Sequence, residues 1–149
     1  MDVSKEAIKV RKARLTDAAR IAELSGQLGY PTTAKEMSVR LRAALALRHA
    51  ACFVAETKQR GVIGWTQVSV TPLLEVPRRA ELNGLVVDER VRSRGAGAEL
   101  LQAAEKWAKK NACTGMSVRS NVIREHAHAF YLRNGYEHYK TQKAFRKPL

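Results

Sequence analysis

Apolar positions alternate or recur along the 149-residue chain in a pattern that assigns most of its elements. Ile8-Lys9-Val10-Arg11 alternates as a half-buried strand does. Thr16 and Asp17 then offer an N-cap to a helix whose Ala18, Ile21, Ala22, Leu24, Ser25 and Leu28 recur at helical spacing. Gly29-Tyr30-Pro31 ends that helix, and Thr32 or Thr33 can cap a second one. Its apolar face runs through Met37, Leu41, Ala44 and Leu45, with Leu47 at its end. Residues 50–56 and 62–70 are rich in β-branched and aromatic side chains, and Lys58-Gln59-Arg60-Gly61 between them reads as a hairpin turn.

After Pro72 and Pro77 a third long strand is predicted over 79–87, then a helix over 95–111. That helix presents Leu100, Leu101, Ala104, Trp107 and Ala108 on one face. Residues 115–119 form a short strand, 124–134 a last helix with Gly135 at its C′ position, and 136–146 one or two closing strands. The order β-α-α-β-β-β-α-β-α-β predicts a mixed α/β fold. Without repeat, low-complexity run or Gly/Ser/Pro linker, the chain reads as a single domain over 1–149.

Composition alters this picture in one respect. Lys plus Arg number 27 against 14 for Asp plus Glu, a formal net charge of +13. Such an excess concentrates anions, whether nucleic acid, an acidic protein or a polyphosphorylated small molecule. The basic residues are spread from Lys5 to Lys147, and no nucleic-acid module accompanies them, so nucleic acid is not the expected partner. No apolar run suits a membrane helix, and the first residues lack the apolar core of a signal peptide. Cys52 and Cys113 read as two packed thiols, which points to a cytoplasmic setting.

Candidate chemistry concentrates after the third long strand. Leu85-Val86-Val87 closes it, Arg90, Arg92 and Arg94 line a basic loop, and Gly95 and Gly97 precede a helix. Glycines there let the backbone approach a ligand, and the first helical amides lack intrahelical acceptors, so the segment suits a phosphate or pyrophosphate. The Walker pattern fails because Ala98 and Glu99 follow Gly97. The dinucleotide fingerprint fails because Leu100 stands where its third glycine belongs. A tight helix start with no ligand is the remaining reading of the loop by itself.

Arg92-x-x-Gly95-x-Gly97 resembles the acetyl-coenzyme-A signature of the GNAT N-acetyltransferase superfamily. Downstream, Asn121 and the run Ala127-His128-Ala129-Phe130-Tyr131, ending in Asn134-Gly135-Tyr136, is similar to a later segment of that family. The resemblance implies a GNAT fold: a mixed central sheet flanked by helices, with a splayed parallel strand pair, 79–87 and 115–119, at the acetyl-CoA site. It implies that pantetheine lies along Leu85, Val86 and Val87, and that Arg92, Ser93, Arg94, Gly95, Ala96, Gly97 and Ala98 hold the pyrophosphate. Asn121 and Phe130 would adjoin the cofactor, Tyr131 would protonate the leaving thiolate, and the N–H of Leu85 would stabilise the oxyanion.

Glu81 is the candidate base, acting directly or through water, with a salt-bridging surface role as its alternative. Strand alternation puts Glu81, Asn83, Leu85 and Val87 on one face. His126 and His128 are two apart on a helix and point to different sides, so they form no ligand pair and no metal is expected. The resemblance implies transfer from acetyl-CoA to a primary amine by direct attack in a ternary complex. A small-molecule amine is the first choice of acceptor and a protein amine the second. A homodimer is expected on family grounds. The alternative is a non-catalytic domain that senses acetyl-CoA or associates with nucleic acid through its charge.

Overall fold

The computed structural model describes residues 6–92, 94–120 and 122–149, so the expectations for Ser93 and Asn121 lie outside the described residues. The chain forms two compact units that divide after Val118.

In the first unit, β1 (Lys9–Lys12), β2 (Ala50–Thr57), β3 (Gly61–Ser69), β4 (Ala80–Val87) and β5 (Met116–Val118) form one sheet in that order. Neighbours are antiparallel except β4 and β5, which run parallel. The helices are α1 (Ala18–Gln27), α2 (Ala34–Leu45) and α3 (Ala96–Lys110). Two apolar clusters show which face each helix covers. Ile21 and Leu24 of α1 and Leu41 of α2 pack with Val54, Val62 and Val86. Ala96 and Leu100 of α3 pack with Ala55 and Ile63, and Leu85 and Val87 lie against them. Helices thus sandwich the sheet, α1 and α2 on one face and α3 on the other.

Local chemistry explains the helix starts. Thr33 caps α2: its hydroxyl accepts from the Glu36 N–H at 3.1 Å while Glu36 reaches back to the Thr33 N–H at 3.2 Å. Asp17 does not cap α1 with its side chain. It accepts from the Arg14 N–H at 2.7 Å and from the Arg11 guanidinium at 2.9 and 3.0 Å, closing a short 3-10 turn over Leu15–Asp17. Along α2 only Leu41 of the expected stripe is buried, and Leu45 and Leu47 are exposed.

Two expectations are corrected. First, residues 136–149 form no strand. Residues 137–149 are exposed throughout, Tyr139 and Phe145 included, so the segment buries no apolar face that a strand would need. Second, Glu81, Asn83, Leu85 and Val87 do not share a face. The β3–β4 register runs Val87↔Gly64, Leu85↔Thr66 and Gly84↔Gln67, then shifts to Leu82↔Val68 and Glu81↔Ser69. Asn83 is therefore an extra residue, a β-bulge that inverts the alternation. Glu81 falls with Trp65, Gln67 and Ser69 on the α1/α2 side, while Leu85 and Val87 fall with Gly64 and Thr66 on the α3 side.

The second unit contains α4 (Glu125–Arg133), which ends at Gly135 with φ of +91°. The Tyr136 N–H bonds the Tyr131 carbonyl at 3.0 Å and the Gly135 N–H that of Leu132 at 3.3 Å, a Schellman closure that needs glycine at its left-handed position.

Candidate active site

The sheet leaves one edge of β4 open. Ala80 donates its N–H to Gly115 at 3.0 Å, and pairing with β5 stops at Leu82↔Val118. From Asn83 onward β4 continues with β3 beside it and no β5 partner on its other side. The Asp88 N–H bonds the Ile63 carbonyl at 2.7 Å, which fixes the phase of the ladder. Antiparallel residues alternate in the direction of their backbone groups, so those of Gly84 and Val86 face β3 and those of Leu85 and Val87 face the open edge. A β4 bulge and a β5 of 3 residues thus produce the splayed parallel pair, and with it exposed strand groups able to pair with an amide-bearing arm.

At the end of that edge the chain turns through a 3-10 segment, Glu89–Val91, into the start of α3. Gly95 is the N-cap of α3, with φ of +92° and no side-chain cap bond. A Cβ built there would meet nothing within 4 Å, so backbone conformation and not crowding requires glycine. The first acceptor used within the helix is the Gly95 carbonyl, bonded by the Glu99 N–H at 3.0 Å. The preceding amides, of Ala96, Gly97 and Ala98, are the helix-start donors that favour an anion. Arg92 and Arg94 are exposed beside them. The Arg92 Nε lies 3.5 Å from the Val87 carbonyl, at the long limit of a hydrogen bond. A diphosphate followed by an amide-bearing arm suits this sequence of donors.

The loop is anchored by Asp88, which sequence reasoning passed over. Its buried carboxylate receives the Arg20 guanidinium at 2.7 Å, the Arg90 N–H at 3.1 Å and the Gln27 amide at 3.4 Å. Burial alone would raise its pKa. The Arg90 N–H, with the side chains of Arg20, Arg90 and Gln27, outweighs burial and holds the group well below the usual carboxylate range. Asp88 ahead of Glu-Arg-Val was readable as an N-cap. Arg20 and Gln27, 68 and 61 residues away, carried no such signal.

Glu81 lies opposite Ser69 on one side and Ser117 on the other, half-buried between three strands. Asn83, at the bulge, accepts a hydrogen bond from the Ser69 hydroxyl at 2.7 Å. Both therefore belong to the α1/α2 side of β4, apart from the Leu85 and Val87 side chains. The Trp65 ring also lies on that side: a Cβ added at Gly84 would come within 2.8 Å of its Cη2.

In the second unit, Phe130 and Tyr131 stack edge to face at 5.2 Å between ring centroids, and Tyr131 lies 5.7 Å from the Tyr136 ring. The helix closure explains the second pairing, since it brings the residue after Gly135 back over Tyr131. Burial raises the Tyr131 phenol above its ordinary pKa, with Arg124 pulling weakly the other way. A phenol so placed keeps its proton at neutral pH. Among the described residues no cluster of His, Cys, Asp and Glu could hold a metal ion, and no helix is long and apolar enough to cross a membrane. Both cysteines are free.

Comparison with known proteins bears on the family and the fold. The model of a family described as Acetyltransferase (GNAT) family matches residues 18–136. The chain is 27% identical over 146 residues to Aminoglycoside N(6')-acetyltransferase type 1 of Klebsiella aerogenes, covering 94% of this chain and 96% of that protein. It is 30% identical over 135 residues to the uncharacterised N-acetyltransferase YhfO of Bacillus subtilis (strain 168), covering 87% of this chain and 90% of that one. Among solved structures, aminoglycoside N-acetyltransferase AAC(6')-Iy in complex with CoA superposes with a TM-score of 0.86 at 18% identity over the full length of both chains, a likeness of fold.

Proposed function

The chain belongs to the GNAT acetyltransferase family and is an acetyl-CoA-dependent N-acetyltransferase, and from that premise we propose that it acetylates a primary amine of a small molecule by direct attack in a ternary complex. The observation that carries the reading is the open backbone edge at Leu85 and Val87, running into an uncapped helix start at Gly95. We read both compact units as parts of one acetyltransferase domain, working as a homodimer in the cytoplasm.

Each step has an assigned group. Pantetheine lies along Leu85, Val86 and Val87 and pairs with the edge-facing groups of Leu85 and Val87; the Val86 backbone, bonded to β3, does not take the pairing role expected from the sequence. The pyrophosphate takes Arg92, Ser93, Arg94, Gly95 and the amides of Ala96, Gly97 and Ala98, with Asn121 and Phe130 adjoining the cofactor. An amine of ordinary pKa, about 10.4 for a lysine-like group, arrives protonated and must lose that proton before it attacks. Glu81, directly or through water, accepts it, and Asn83 on the same side of β4 orients the acceptor. Nitrogen then forms a bond to the thioester carbon, and the oxyanion is stabilised by the Leu85 N–H. The C–S bond breaks, Tyr131 gives its proton to the departing thiolate, and the second proton of the former amine leaves through water to restore the phenol.

The basic surface disfavours a highly cationic acceptor and favours a small amine that carries a carboxylate or phosphate. The Klebsiella aerogenes relative, named for action on aminoglycosides, supports a second reading in which the acceptor is an aminoglycoside amine. Calorimetric titration with acetyl-CoA, with ATP as a control, followed by thiol release across a panel of amino sugars, amino acids, polyamines and aminoglycosides, tests both. Saturable one-site binding with turnover of a small amine supports the proposal. Turnover restricted to protein or peptide amines would overturn it.

A further inference from the structure

Two side chains of α1 reach the start of the cofactor loop, and neither belongs to the catalytic scheme. Arg20 and Gln27 stand seven residues apart, two helical turns, and so share one side of α1. Arg20 donates from Nε to the Val62 carbonyl at 2.8 Å and from Nη2 to Asp88 at 2.7 Å, tying β3 to the end of β4. Gln27 grips the next peptide in both senses. Its oxygen accepts the Glu89 N–H at 2.9 Å and its amide lies 3.4 Å from Asp88 Oδ1.

Simple capping of the 3-10 turn needs only the Arg90 N–H on Asp88. The additional contacts have an electrostatic consequence. Asp88 is a buried carboxylate two residues before Arg90, at the mouth of a site for phosphates, where uncompensated negative charge would repel them. Arg20 neutralises it at 2.7 Å, whereas the Arg90 guanidinium is 3.4 Å away and 73% exposed. The Arg90 guanidinium keeps two long contacts to Asp88, 3.4 Å each, but with Arg20 bonded to the same carboxylate at 2.7 Å the hold on that exposed side chain is weakened.

We propose that Arg20 and Gln27 are positioning residues which, by holding Asp88 and Glu89, fix the loop geometry and weaken the hold of Asp88 on Arg90, so that the phosphates of coenzyme A can draw that guanidinium to themselves; this rests on the acetyl-CoA site described above. The test is calorimetric affinity for acetyl-CoA in Gln27→Ala, Arg20→Gln and Arg20→Lys, each with its melting temperature. Removing the Gln27 contacts is expected to raise Kd about fivefold, the effect of one lost hydrogen bond, with melting within about 2 °C of the parent. Arg20→Gln is expected to weaken binding further and to flatten its salt dependence, since Asp88 then tightens its existing hold on Arg90. Arg20→Lys, which keeps the charge, is expected to restore most of the affinity.

An unchanged Kd in folded Gln27→Ala overturns the inference. So does an affinity loss that follows melting temperature in every variant and is not restored by lysine, because that marks a purely structural bridge. If Arg20→Gln does not fold, Gln27→Ala at the protein surface still decides. Failure of the parent protein to bind acetyl-CoA would instead sink the assignment of the site itself.

Discussion

Gly64 lies where β3 passes beneath α3 and directly opposite Val87, so a methyl group added there tests the packing that supports the open edge of β4. A Cβ at Gly64 would stand 2.8 Å from the Val86 carbonyl oxygen, 3.1 Å from Leu100 Cδ1 and 3.3 Å from Val87 Cγ2. Carbon–oxygen contacts ordinarily begin near about 3.3 Å, so the overlap with the carbonyl is about half an ångström. That neighbour is backbone, and relief requires β4 itself to move. Overpacking of this kind costs about 1–3 kcal/mol, and a backbone obstacle places Gly64→Ala in the upper half of that range. For a chain of this size each kcal/mol lowers the melting temperature by about 2–4 °C, so a fall of roughly 4–12 °C is expected.

The same displacement shifts Val86 and Val87, and acetyl-CoA affinity should weaken with stability. Gly26→Ala is the matched control. It sits inside α1 with nothing within 4 Å of the added Cβ and no positive φ, and should gain about 0.5–1 kcal/mol. Circular-dichroism melts of both variants, with titration of acetyl-CoA, decide the matter. A Gly64→Ala protein that melts with the parent would refute the packing described for β3, β4 and α3.

Three further outcomes are expected. Gly95→Ala, in open space but at φ of +92°, should cost about 1–2 kcal/mol from backbone strain and weaken acetyl-CoA binding; undiminished affinity by calorimetry would remove Gly95 from the site. Tyr131→Phe should lower kcat while leaving the Kd for acetyl-CoA within about twofold, a change far below one hydrogen bond to a charged group, and a rate unchanged across the pH range would exclude it as the acid. Acid should destabilise the fold through Asp17 and Asp88, whose folded pKa values are both depressed. Their contribution is present in full above the unfolded carboxylate pKa of about 3.9 and is lost as pH falls toward the folded values. Melting temperature measured from pH 5 to 2 should therefore fall less steeply in Asp17→Asn than in the parent.

Most elements and the turn into α3 were legible because they are encoded locally. Helical spacing in α1 and α3, the threonine cap of α2, the turn before Gly61 and the glycines at the start of α3 each depend on residues within a few positions of one another. The family resemblance rested on the same kind of information, short motifs in a fixed order. Local pattern misled at the chain's end, where one or two strands were expected over 136–146 and none forms.

Tertiary structure decided what depends on pairing. Simple alternation could not reveal that Asn83 is a bulge, because a bulge is defined by the register of the neighbouring strand, and that one extra residue moves Glu81 to the face opposite the Leu85 side chain. The open edge of β4 exists because β5 stops at Val118. The Arg20–Asp88–Gln27 bridge joins residues more than 60 positions apart. Periodicity records what a residue needs from its own helix or strand; which distant backbone or charge supplies the rest is fixed only when the sheet has closed on its helices.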